Sequence, residues 1–363
     1  MKILHLMHHF RPCIGGMERS LEESCIEIVK AGHECRVVCL DRCAHASEKL
    51  PACEEFRGID IIRIPFLDFG PYKIAFGALK HARDADVIHV HGLGFFSDLA
   101  LLSKFIHNKP VVIGSYGGIF HTGSNPIKWL YFYFWNRLLL RLADKVVVIS
   151  GHDFGLFKKI VPDKKLALIP VPVETDSFSP GKKEKGSFAF VGRLSKNKRV
   201  DLLIEAFAKA FKGKKAKLYI AGNDFEGLLP GLKAQAEKEG ISKQVFFLGV
   251  VNDSELHSLL SKSEFFVSAS DYESFGISTI EAMASGCVPV LSRIPSFESF
   301  LENEKNGFLL DFHETGKVAS KLQDISGMPE KQLAGKRKNA IAFSKRFSPR
   351  RIAGELISLY SNL

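Results

Sequence analysis

The sequence lacks the long apolar segment that a membrane-spanning helix needs. None of its uninterrupted apolar runs reaches the roughly 18 residues required to cross a bilayer. The amino terminus enters a strand-like run at residues 2–7 without the apolar stretch and cleavage site of a secretory signal. We therefore expect a cytoplasmic protein.

Cysteine is scarce and poorly spaced for metal binding. The chain has 7 cysteines, and all but one of them precede residue 54. Cys35, Cys39 and Cys43 are each separated by three residues, a spacing that does not match the C-x2-C pairs of zinc sites. Cys25 lies in a helical pattern and Cys39 in a strand-like run. We expect reduced, mostly buried thiols and no metal site.

Positive charge is present, but no dense basic block stands out. The 50 lysines and arginines exceed the 40 aspartates and glutamates, which leaves a net charge of +10. Half of this excess lies in residues 1–172 and half in the remainder. The balance favours anionic partners such as nucleotides or an anionic membrane surface, and its even spread argues against nucleic acid.

The length and the rhythm of the chain predict two α/β domains. Its 363 residues exceed the roughly 250–300 at which a single core stops growing. Short apolar runs alternate with helical patterns in both halves, which is typical of a doubly wound parallel sheet. A proline-rich stretch separates the halves. The predicted organisation is a first domain at 1–170, a linker at 171–180, a second domain at 181–345 and a final helix at 346–363. Two places are open for this helix: it packs on the second domain or crosses back to the first.

The predicted elements can be compared directly with a structure. Strands are expected at 2–7, 36–40, 60–64, 87–90, 111–114 and 145–149, then near 187–192, 216–221, 244–248, 264–268 and 287–291. Helices are expected near 17–31, 73–83, 97–107 and 126–142, then near 200–211, 228–239, 253–261 and 276–285. The segment from about 330 to 361 is also helical in pattern.

Residues 271–290 are the stretch around which the chain is organised. Their strand, loop, helix, strand pattern places a loop at the carboxyl end of a strand, where parallel sheets bind ligands. Glu273 lies in that loop, and Glu281 lies about one and a half turns into the helix. Gly276 allows a phosphate to approach the backbone, whereas a carboxylate suits a sugar hydroxyl. The pattern suggests a nucleotide-sugar pocket, although two glutamates at this spacing are, taken alone, more often solvated.

Two other strand-to-helix joints carry features suited to anions. The loop after the strand near 187–192 contains Arg193 and Lys198. Both suit a diphosphate, because a guanidinium can donate to two phosphate oxygens at once and an ammonium is a compact positive charge. Gly15 and Gly16 follow the first strand and can expose backbone N–H groups. Each feature alone has an ordinary explanation, as solvated surface or as a turn. Their combination with the acidic loop is more specific.

At this point the chain resembles the family 4 retaining glycosyltransferases of GT-B fold along almost its full length. The elements that carry the resemblance are Gly15-Gly16-Met17-Glu18, Gly32-His33-Glu34, Asp86-Val-Ile-His-Val-His-Gly92, Gly192-Arg193-Leu194 with Lys198, and Glu273-Ser-Phe-Gly-Ile with Glu281. The resemblance implies two Rossmann-like domains that face a cleft. The first would take the acceptor and the second the nucleotide sugar.

The resemblance also implies roles for the phosphate-binding residues. Arg193 and Lys198 would neutralise the donor diphosphate and help it leave. Gly16, beside Gly15, would let its loop approach the phosphates when the cleft closes. Retention would follow from front-face attack within an ion pair, with no protein nucleophile, no metal ion and no cofactor besides the nucleotide-sugar co-substrate.

The sugar-binding residues follow in the same way. Glu273 would contact hydroxyls of the transferred sugar, and Glu281 would hold the hydroxyls of the ribose. Backbone N–H groups near the sugar would come from three consecutive residues, Phe275, Gly276 and Ile277.

One position departs from the family pattern. Exopolysaccharide mannosyltransferases that resemble residues 113–122 carry histidine where Tyr116 stands, and that histidine donates to a hydroxyl of the donor sugar. A phenol can also donate. Three interpretations stay open: Tyr116 substitutes directly as a catalytic residue, His121 moves in, or the enzyme is slow or altered in its choice of donor.

The segment 126–142 holds both tryptophans and is dense in aromatic residues. One interpretation is a core helix. The other is an interfacial helix, in which Trp129 and Trp135 enter the lipid headgroups while Arg137 meets anionic lipid. Its position after the sugar-contacting loop suits a lipid-linked acceptor and peripheral attachment to the inner face of the membrane.

The resemblance therefore implies a metal-independent, retaining hexosyltransferase. Its donor is GDP-mannose, which is favoured, or a UDP-sugar, and its acceptor is a lipid-linked or soluble glycan. The alternatives are a soluble-acceptor transferase or sugar-phosphate synthase of the same fold, and a catalytically weak nucleotide-sugar-binding protein.

Overall fold

The chain folds into two compact α/β units. The computed structural model describes residues 1–13, 15–43, 46–70, 72–117, 129–302 and 304–363. Unit 1 comprises Met1–Val173 together with Pro349–Leu363, and unit 2 comprises Glu174–Ser348.

Unit 1 is built on a sheet that, among the described residues, has eight strands. Its strands are β1 (Lys2–Leu6), β2 (Glu34–Leu40), β3 (Cys53–Phe56), β4 (Ile59–Ile64), β5 (Leu67–Phe69), β6 (Tyr72–Ile74), β7 (Val87–His91), β8 (Val111–Gly114), β9 (Lys145–Val148) and β10 (Leu166–Leu168). The order in the sheet is β10-β9-β8-β7-β1-β2-β4-β3, while β5 and β6 form a separate hairpin. The edge strand β3 runs antiparallel to β4, and the other pairings in the sheet are parallel.

Helices cover both faces of this sheet. They are α1 (Gly16–Lys30), α2 (Phe95–Leu102), α3 (Lys104–His107), an aromatic helix (residues 129–142, with a π-helical turn at Tyr131–Asn136) and α4 (Gly151–Phe157). Alternate residues of the strands face different layers, so Ile3 packs with α1 while Leu4 packs with α2 and the aromatic helix. Burial on both faces explains why these strands read as nearly continuous apolar runs.

Unit 2 repeats the architecture with, in its described residues, six parallel strands. They are β11 (Glu184–Val191), β12 (Lys217–Ala221), β13 (Val245–Gly249), β14 (Ser263–Ser268), β15 (Val288–Ser292) and β16 (Phe308–Leu310), in the order β13-β12-β11-β14-β15-β16. Its helices are α5 (Val200–Phe211), α6 (Leu229–Lys238), α7 (Asp253–Lys262), α8 (Ile277–Ala284), α9 (Pro295–Glu298), α10 (Thr315–Ser326) and α11 (Glu330–Ser344).

The final helix, α12 (Pro349–Ser361), belongs to unit 1, although it follows unit 2 in the chain. It packs against α1 through buried side chains that include Ile352 and Leu356. The sequence left its place open because an amphipathic helix does not specify which apolar surface covers it.

The doubly wound α/β fold and the predicted strands are confirmed. The expected helix at 73–83 is wrong, because β6 occupies its start and a 3-10 helix, Phe76–His81, follows. The short strands β3, β5, β10 and β16 were not predicted. They have three or four residues each, too few for an apolar period to show.

One expectation about cysteine is also wrong. Cys13 and Cys43 form a disulfide, with Cα atoms 5.4 Å apart. The two residues are 30 positions apart in sequence and meet because they follow the neighbouring strands β1 and β2. Cys25, Cys35 and Cys39 are buried free thiols, as expected.

No helix in the described part of the chain combines the length and the apolar character needed to span a bilayer.

Candidate active site

The two loops that the sequence singles out in unit 2 lie side by side. From β11 the chain proceeds outward to β12 and β13, then returns to place β14 on the other side of β11. β11 and β14 pair in parallel, so the loops that follow them leave from the same edge of the sheet. This reversal of strand order is the position at which open α/β sheets bind ligands.

The loop after β11 carries the predicted cationic side chains. Arg193 is exposed, and its guanidinium carbon lies 5.1 Å from the centre of the Phe225 ring. The loop then tightens into a 3-10 turn, Lys196–Lys198, and Arg199 takes a left-handed conformation with φ of 46° before α5 begins. This tight course keeps Lys198 close to the end of β11.

Lys198 and Glu273 form a direct ion pair between the two loops. Their side chains are only 14% and 15% exposed. The Ser270 hydroxyl lies 3.4 Å from Glu273 Oε1 and 2.9 Å from the Ser268 hydroxyl. The structure therefore brings together two predicted site residues that are 75 positions apart.

Asn197 joins the two loops and was missed by the sequence analysis. Its side-chain amide donates to the Tyr272 carbonyl at 3.2 Å, and its backbone carbonyl accepts a hydrogen bond from the Asp271 N–H at 2.8 Å. Ser195 donates to the amide oxygen at 2.6 Å, which orients the side chain. Asn197 lies inside the basic motif, but a residue that bridges loops has no pattern in sequence that could have identified it.

A second charged contact lies beside this bridge. Arg199 pairs with Asp271 at 3.2 Å and with Asp201 at 2.9 Å, and His313 approaches the same Asp271 at 2.8 Å. The hydrogen bonds that Arg199 donates to Asp201 raise the pKa of Arg199 above its usual range. These residues were also missed, because they meet only through folding.

The start of α8 places backbone N–H groups beside Glu273. Gly276 precedes the helix with φ of 103°, a conformation that favours glycine. A Cβ there would lie 2.9 Å from the Phe297 ring, so the position is crowded as well as left-handed. Phe275 is buried, with its ring packed 5.2 Å from that of Phe300. Its side chain belongs to the core, and the role of the Phe275, Gly276 and Ile277 backbone N–H groups towards the donor stays a prediction.

Glu281 lies within α8 and is 6% exposed. An ionisable side chain at that depth is uncommon on a helix unless it has a defined partner. Its place on the helix that follows the Glu273 loop agrees with the predicted geometry. Its role towards ribose stays a prediction.

Unit 1 has its own reversal of strand order, between β1 and β7. α1 begins at Gly16, and Gly15 before it is extended, with φ of −170°. A Cβ on Gly15 would lie 2.1 Å from Glu18 Oε2, so a carboxylate of the chain itself lies against this glycine. The predicted role of Gly15 and Gly16 towards phosphate stays a prediction.

Tyr116 follows β8 and is tied to a row of buried histidines. Its hydroxyl lies 2.7 Å from His91 Nδ1, and His91 Nε2 lies 2.9 Å from His5 Nδ1. His89, next to His5 in the parallel register, contacts the Tyr360 hydroxyl of α12 at 2.6 Å. Burial lowers the pKa of His89 and of His91 well below the usual range and raises the pKa of Tyr116. His121 lies outside the described residues.

The histidine row is also where, among the described residues, ring nitrogens come close enough to share a metal ion. One nitrogen each of His5, His89 and His91 lies within 4.8 Å of the others. The His5 and His91 nitrogens already share a hydrogen bond. His89 Nε2 is buried without a hydrogen-bond partner.

The aromatic helix is anchored by a buried aspartate on α2. Asp98 Oδ2 accepts hydrogen bonds from Tyr72 at 2.7 Å, Tyr131 at 3.2 Å and Trp135 Nε1 at 3.0 Å. Burial raises the pKa of Asp98, and the hydrogen bonds that it accepts act in the opposite direction. Trp135 is thus turned towards Asp98, although 37% of it stays exposed.

The outer side of this helix is apolar. Trp129 stacks on Tyr133 with ring centres 5.4 Å apart, and Arg137 is exposed. Four side chains at a spacing of four are exposed along one side: Leu130, Phe134, Leu138 and Leu142. Lys128, a further cation in the predicted interfacial helix, lies outside the described residues.

Comparison with known proteins identifies the family. Residues 14–177 match the model described as glycosyltransferase family 4, and residues 172–342 match the model described as glycosyl transferases group 1. The chain belongs to these glycosyltransferases, and the resemblance seen in its motifs is confirmed.

Among curated relatives, the chain is similar to GDP-mannose:cellobiosyl-diphosphopolyprenol alpha-mannosyltransferases. It is 29% identical to that of Xanthomonas campestris, over 99% of this chain and 96% of the relative. It is 27% identical to that of Komagataeibacter xylinus, over 100% and 93%.

Solved structures support the fold. A sucrose-phosphate synthase from Thermosynechococcus elongatus superposes with a TM-score of 0.83 at 18% identity, over 99% of this chain and 98% of that one. The Anabaena protein HepE in complex with UDP-glucose superposes with a TM-score of 0.79 at 18% identity, over the full length of both.

Proposed function

We propose that this glycosyltransferase moves mannose from GDP-mannose to a sugar carried on diphosphopolyprenol, with retention at the anomeric carbon. The observation that carries the proposal is the Lys198–Glu273 pair at the strand-order reversal of unit 2. It occurs in a chain that aligns end to end with relatives named for this donor and acceptor. A UDP-sugar remains the competing donor.

The contacts of the pair suggest how the donor is held. Lys198 and the exposed Arg193 offer positive charge to the diphosphate, while Glu273 offers carboxylate oxygens to hydroxyls of the sugar. When the donor binds, the Lys198 ammonium is shared between the phosphate and Glu273. The lysine therefore orients the carboxylate as well as the leaving group.

The transfer itself needs no protein nucleophile in this scheme. The bond between the anomeric carbon and the phosphate oxygen breaks, and GDP leaves with the electron pair. The acceptor oxygen attacks from the face that GDP has left, and its proton passes to the departing phosphate. Because Arg193 and Lys198 supply the positive charge, we propose that no metal ion and no further cofactor take part.

We also propose that unit 1 rests on the cytoplasmic face of an anionic membrane. The end of the aromatic helix lies beside the junction of α2 and α3, since Lys104 of α3 donates to the Leu142 carbonyl at 3.0 Å. Leu102, Phe105 and Ile106 are exposed there, with Phe105 at 85%. We call these three residues, together with Leu130, Phe134, Leu138 and Leu142, the apolar surface.

The charges around the apolar surface favour lipid over a second protein. Arg137 and Arg141 are exposed on the same helix, whereas Lys104 at the junction is paired with Asp144 at 2.7 Å. Apolar side chains flanked by cationic ones are typical of helices that lie in the headgroup layer. A lipid-linked acceptor would be available at the same place.

The direct test is transfer from a panel of GDP-, UDP- and ADP-sugars to a lipid-linked and to a soluble glycan acceptor. We expect transfer from GDP-mannose to the lipid-linked acceptor, undiminished by EDTA, and a product whose linkage is α by NMR. Transfer only to the soluble acceptor would favour the soluble-acceptor enzyme. A β linkage, or inhibition by EDTA reversed by a divalent ion, would contradict the mechanism.

A second function, donor binding without turnover, is favoured by one observation. The Tyr116 hydroxyl, at the position where related mannosyltransferases carry histidine, contacts His91. Thermal-shift measurements with the same sugars would support binding alone if a donor stabilises the protein and neither transfer nor hydrolysis follows. Saturating donor at a hundredfold excess over Kd would stabilise the fold by roughly 2.7 kcal/mol.

A further inference from the structure

Three histidines meet inside the sheet of unit 1. His5 lies on β1, and His89 and His91 lie on the neighbouring strand β7. His5 pairs with His89 in the parallel register, and residues two apart on a strand face the same side, so His91 lies on the same face as His89. The three rings are at most 7% exposed, and their centres lie between 4.2 and 5.8 Å apart. They form one buried cluster.

Two of the rings are held from outside by tyrosine hydroxyls. His89 Nδ1 lies 2.6 Å from the Tyr360 hydroxyl of α12, and His91 Nδ1 lies 2.7 Å from the Tyr116 hydroxyl. These contacts orient the rings and leave the Nε2 atom of each for the interior of the cluster. Outer hydrogen-bond partners of this kind accompany nearly all metal-binding histidines, because they fix the tautomer and the direction of the ring.

The third ring is held in the same way, and one nitrogen of the cluster is left over. His5 Nε2 lies 3.9 Å from the Cys35 sulfur, and His5 Nδ1 lies 2.9 Å from His91 Nε2. His89 Nε2 is buried and has no hydrogen-bond partner among the described residues. A buried polar atom without a partner costs free energy, so a ligand for this nitrogen is expected.

The spacing of the nitrogens suits a single ion. Imidazole binds Zn²⁺ at about 2.0–2.1 Å, which places the nitrogens of a tetrahedral site about 3.3 Å from one another. The 2.9 Å between His5 Nδ1 and His91 Nε2 is slightly shorter than this, and one nitrogen of every ring lies within 4.8 Å of the others. Small movements of the rings would therefore bring three nitrogens to one ion.

A glycine on the adjacent strand β8 keeps the approach to the left-over nitrogen open. A Cβ at Gly114 would lie 3.3 Å from His89 Nε2 and 2.7 Å from the Tyr116 ring. A larger side chain at this position would therefore crowd the nitrogen. Zn²⁺ held by three protein ligands takes a water molecule as its fourth, and the side of the cluster at Gly114 is where this ligand fits best.

The hydrogens of the cluster can be arranged for metal binding without ionising any group. A neutral imidazole carries one hydrogen, and the nitrogen that binds a metal must carry none. With the hydrogens on the outer nitrogens, His89 and His91 donate to the tyrosine oxygens and His5 donates to the Cys35 sulfur. Metal binding then replaces one hydrogen bond between rings with three bonds to the ion.

We propose that one Zn²⁺ ion binds to His5 Nδ1, His89 Nε2 and His91 Nε2. Neutral imidazoles suit this borderline ion, whereas Mg²⁺ and Ca²⁺ prefer oxygen ligands. The ion joins β1 to β7 and, through Tyr360, to α12, so its role is structural. The site lies wholly within unit 1 and does not depend on the proposed function, in which no metal ion takes part in transfer. No sequence spacing predicts it, because His5 and His91 are 86 positions apart.

Two buried thiols offer a competing set of ligands. One atom each of His5, Cys25 and Cys35 also lies within 4.8 Å of the others. The histidine set is favoured because it alone contains the unpartnered His89 Nε2, whereas Cys35 already contacts His5. The two sites can be distinguished, since Zn–S bonds are about 2.3 Å long and Zn–N bonds are about 2.0–2.1 Å long.

Metal analysis of the full chain without an affinity tag tests the site directly. The protein is incubated with Zn²⁺ and dialysed against metal-free buffer, and its zinc is counted by mass spectrometry. We expect one zinc ion per chain, and X-ray absorption that shows imidazole nitrogens and no sulfur among the ligands. A chain that retains no zinc, or a zinc ion bound to sulfur, would overturn the proposal.

A matched pair of variants identifies the ligands. His89→Gln removes the unpartnered nitrogen and should lower the bound zinc at least tenfold. His107→Gln removes another buried histidine, which contacts the Ala100 carbonyl away from the cluster, and should leave one ion bound. Circular dichroism checks that both variants fold. Zinc retained in His89→Gln, or lost equally from both, would overturn the proposal. If His89→Gln does not fold, the absorption spectrum of the unchanged protein decides.

Tyr360→Phe tests the outer contact without removing a ligand. Loss of the hydroxyl beside His89 Nδ1 should weaken zinc binding about tenfold, as measured by competition with a chelator. An unchanged affinity would mean that Tyr360 does not orient a metal-bound His89, and would overturn the assignment.

The zinc count also separates this proposal from the proposed function. The rings are at most 7% exposed, so transfer in the presence of EDTA is compatible with an ion that stays bound. Zinc is therefore counted on the same EDTA-treated sample that is assayed for transfer. Transfer that is lost while the zinc stays bound would contradict the proposed function alone.

Discussion

In unit 2 the loops at the reversal of strand order bring charged side chains together, whereas in unit 1 the strands at the same topological position bring together buried imidazole rings. Lys198 meets Glu273 in the first case, and His5 meets His91 in the second. Apart from the antiparallel edge strand β3 of unit 1, both sheets are parallel, and they are wound in the same way. The difference therefore comes from the side chains and not from the architecture.

The contrast follows from where the side chains lie, on loops in unit 2 and within the sheet in unit 1. Lys198 and Glu273 project from loops, where water and a ligand can reach them, so an ion pair is tolerated. His5, His89 and His91 lie on strands within the sheet, and for His89 and His91 burial disfavours the charged form. One unit thereby presents charged side chains at its loops, and the other buries imidazole rings within its sheet.

The largest effect is expected from removing the cation in unit 2. Lys198→Ala should lower kcat/KM by about a hundredfold to a thousandfold, because the developing charge on the diphosphate loses a fixed positive partner. Lys217→Ala breaks an exposed ion pair with Glu184 at the start of β12 and serves as the control. Steady-state kinetics that show losses of the same size for both variants would contradict the assignment.

The next effect concerns the outer side of unit 1. Replacing Phe134 and Leu138 with serine should weaken binding to anionic liposomes about thirtyfold, since each exposed apolar side chain contributes about 1 kcal/mol on entering lipid. Liposome flotation at increasing salt concentration measures both the loss of binding and the electrostatic contribution to binding. Phe246→Ser, on the exposed side of β13 in unit 2, is the control.

The sequence also predicts that Trp129 and Trp135 enter the lipid headgroups. Replacing Trp129 and Trp135 with alanine should also abolish liposome binding. The Trp135 variant additionally removes a hydrogen bond to Asp98, so a loss of thermal stability is expected for it and not for Phe134→Ser. Liposome binding that neither set of changes affects would rule out this surface.

A smaller effect is expected at Tyr116. Tyr116→Phe should lower kcat about tenfold with KM little changed, because one hydrogen bond of about 1.4 kcal/mol is lost in the transition state. Tyr116→His restores the family residue and should keep or raise the activity. A large loss of turnover in Tyr116→His would refute the idea that the two residues do the same work.

The smallest effect is a dependence of stability on pH, which we expect from the buried histidines of unit 1. Burial lowers the pKa of His8 to about 4, and His89 and His91 are lowered too, so the unfolded chain binds protons near pH 6 that the folded chain does not. Stability is therefore full above the unfolded histidine pKa and is lost as the pH falls. The loss should be about 1 kcal/mol for each histidine between about pH 7.5 and 5.5.

Thermal unfolding across this pH range measures that loss. His8→Asn should reduce the slope, because it removes one of the protonation sites in the unfolded chain. An unchanged slope would mean that the pKa of His8 is the same in the folded and the unfolded chain, which contradicts the expected lowering.

Local pattern was sufficient for most elements of both units. The runs that became β1, β7, β11 and β14 were visible because strands buried on both faces have no polar alternation. Arg193, Lys198 and Glu273 were recognisable because they follow such strands, where ligand-binding loops occur. The hairpin of β5 and β6 was not visible, because three-residue strands carry no period.

Sequence alone determined the class of fold, the family and the loops in which the charged residues lie, since periodicity and motif spacing are properties of neighbouring residues. Tertiary structure decided which side chains meet. The Lys198–Glu273 pair, the Asn197 bridge, the place of α12 on unit 1 and the row from Cys35 to Tyr116 all join residues far apart in the chain. Such contacts are set by the order and register of strands, and no local pattern encodes them.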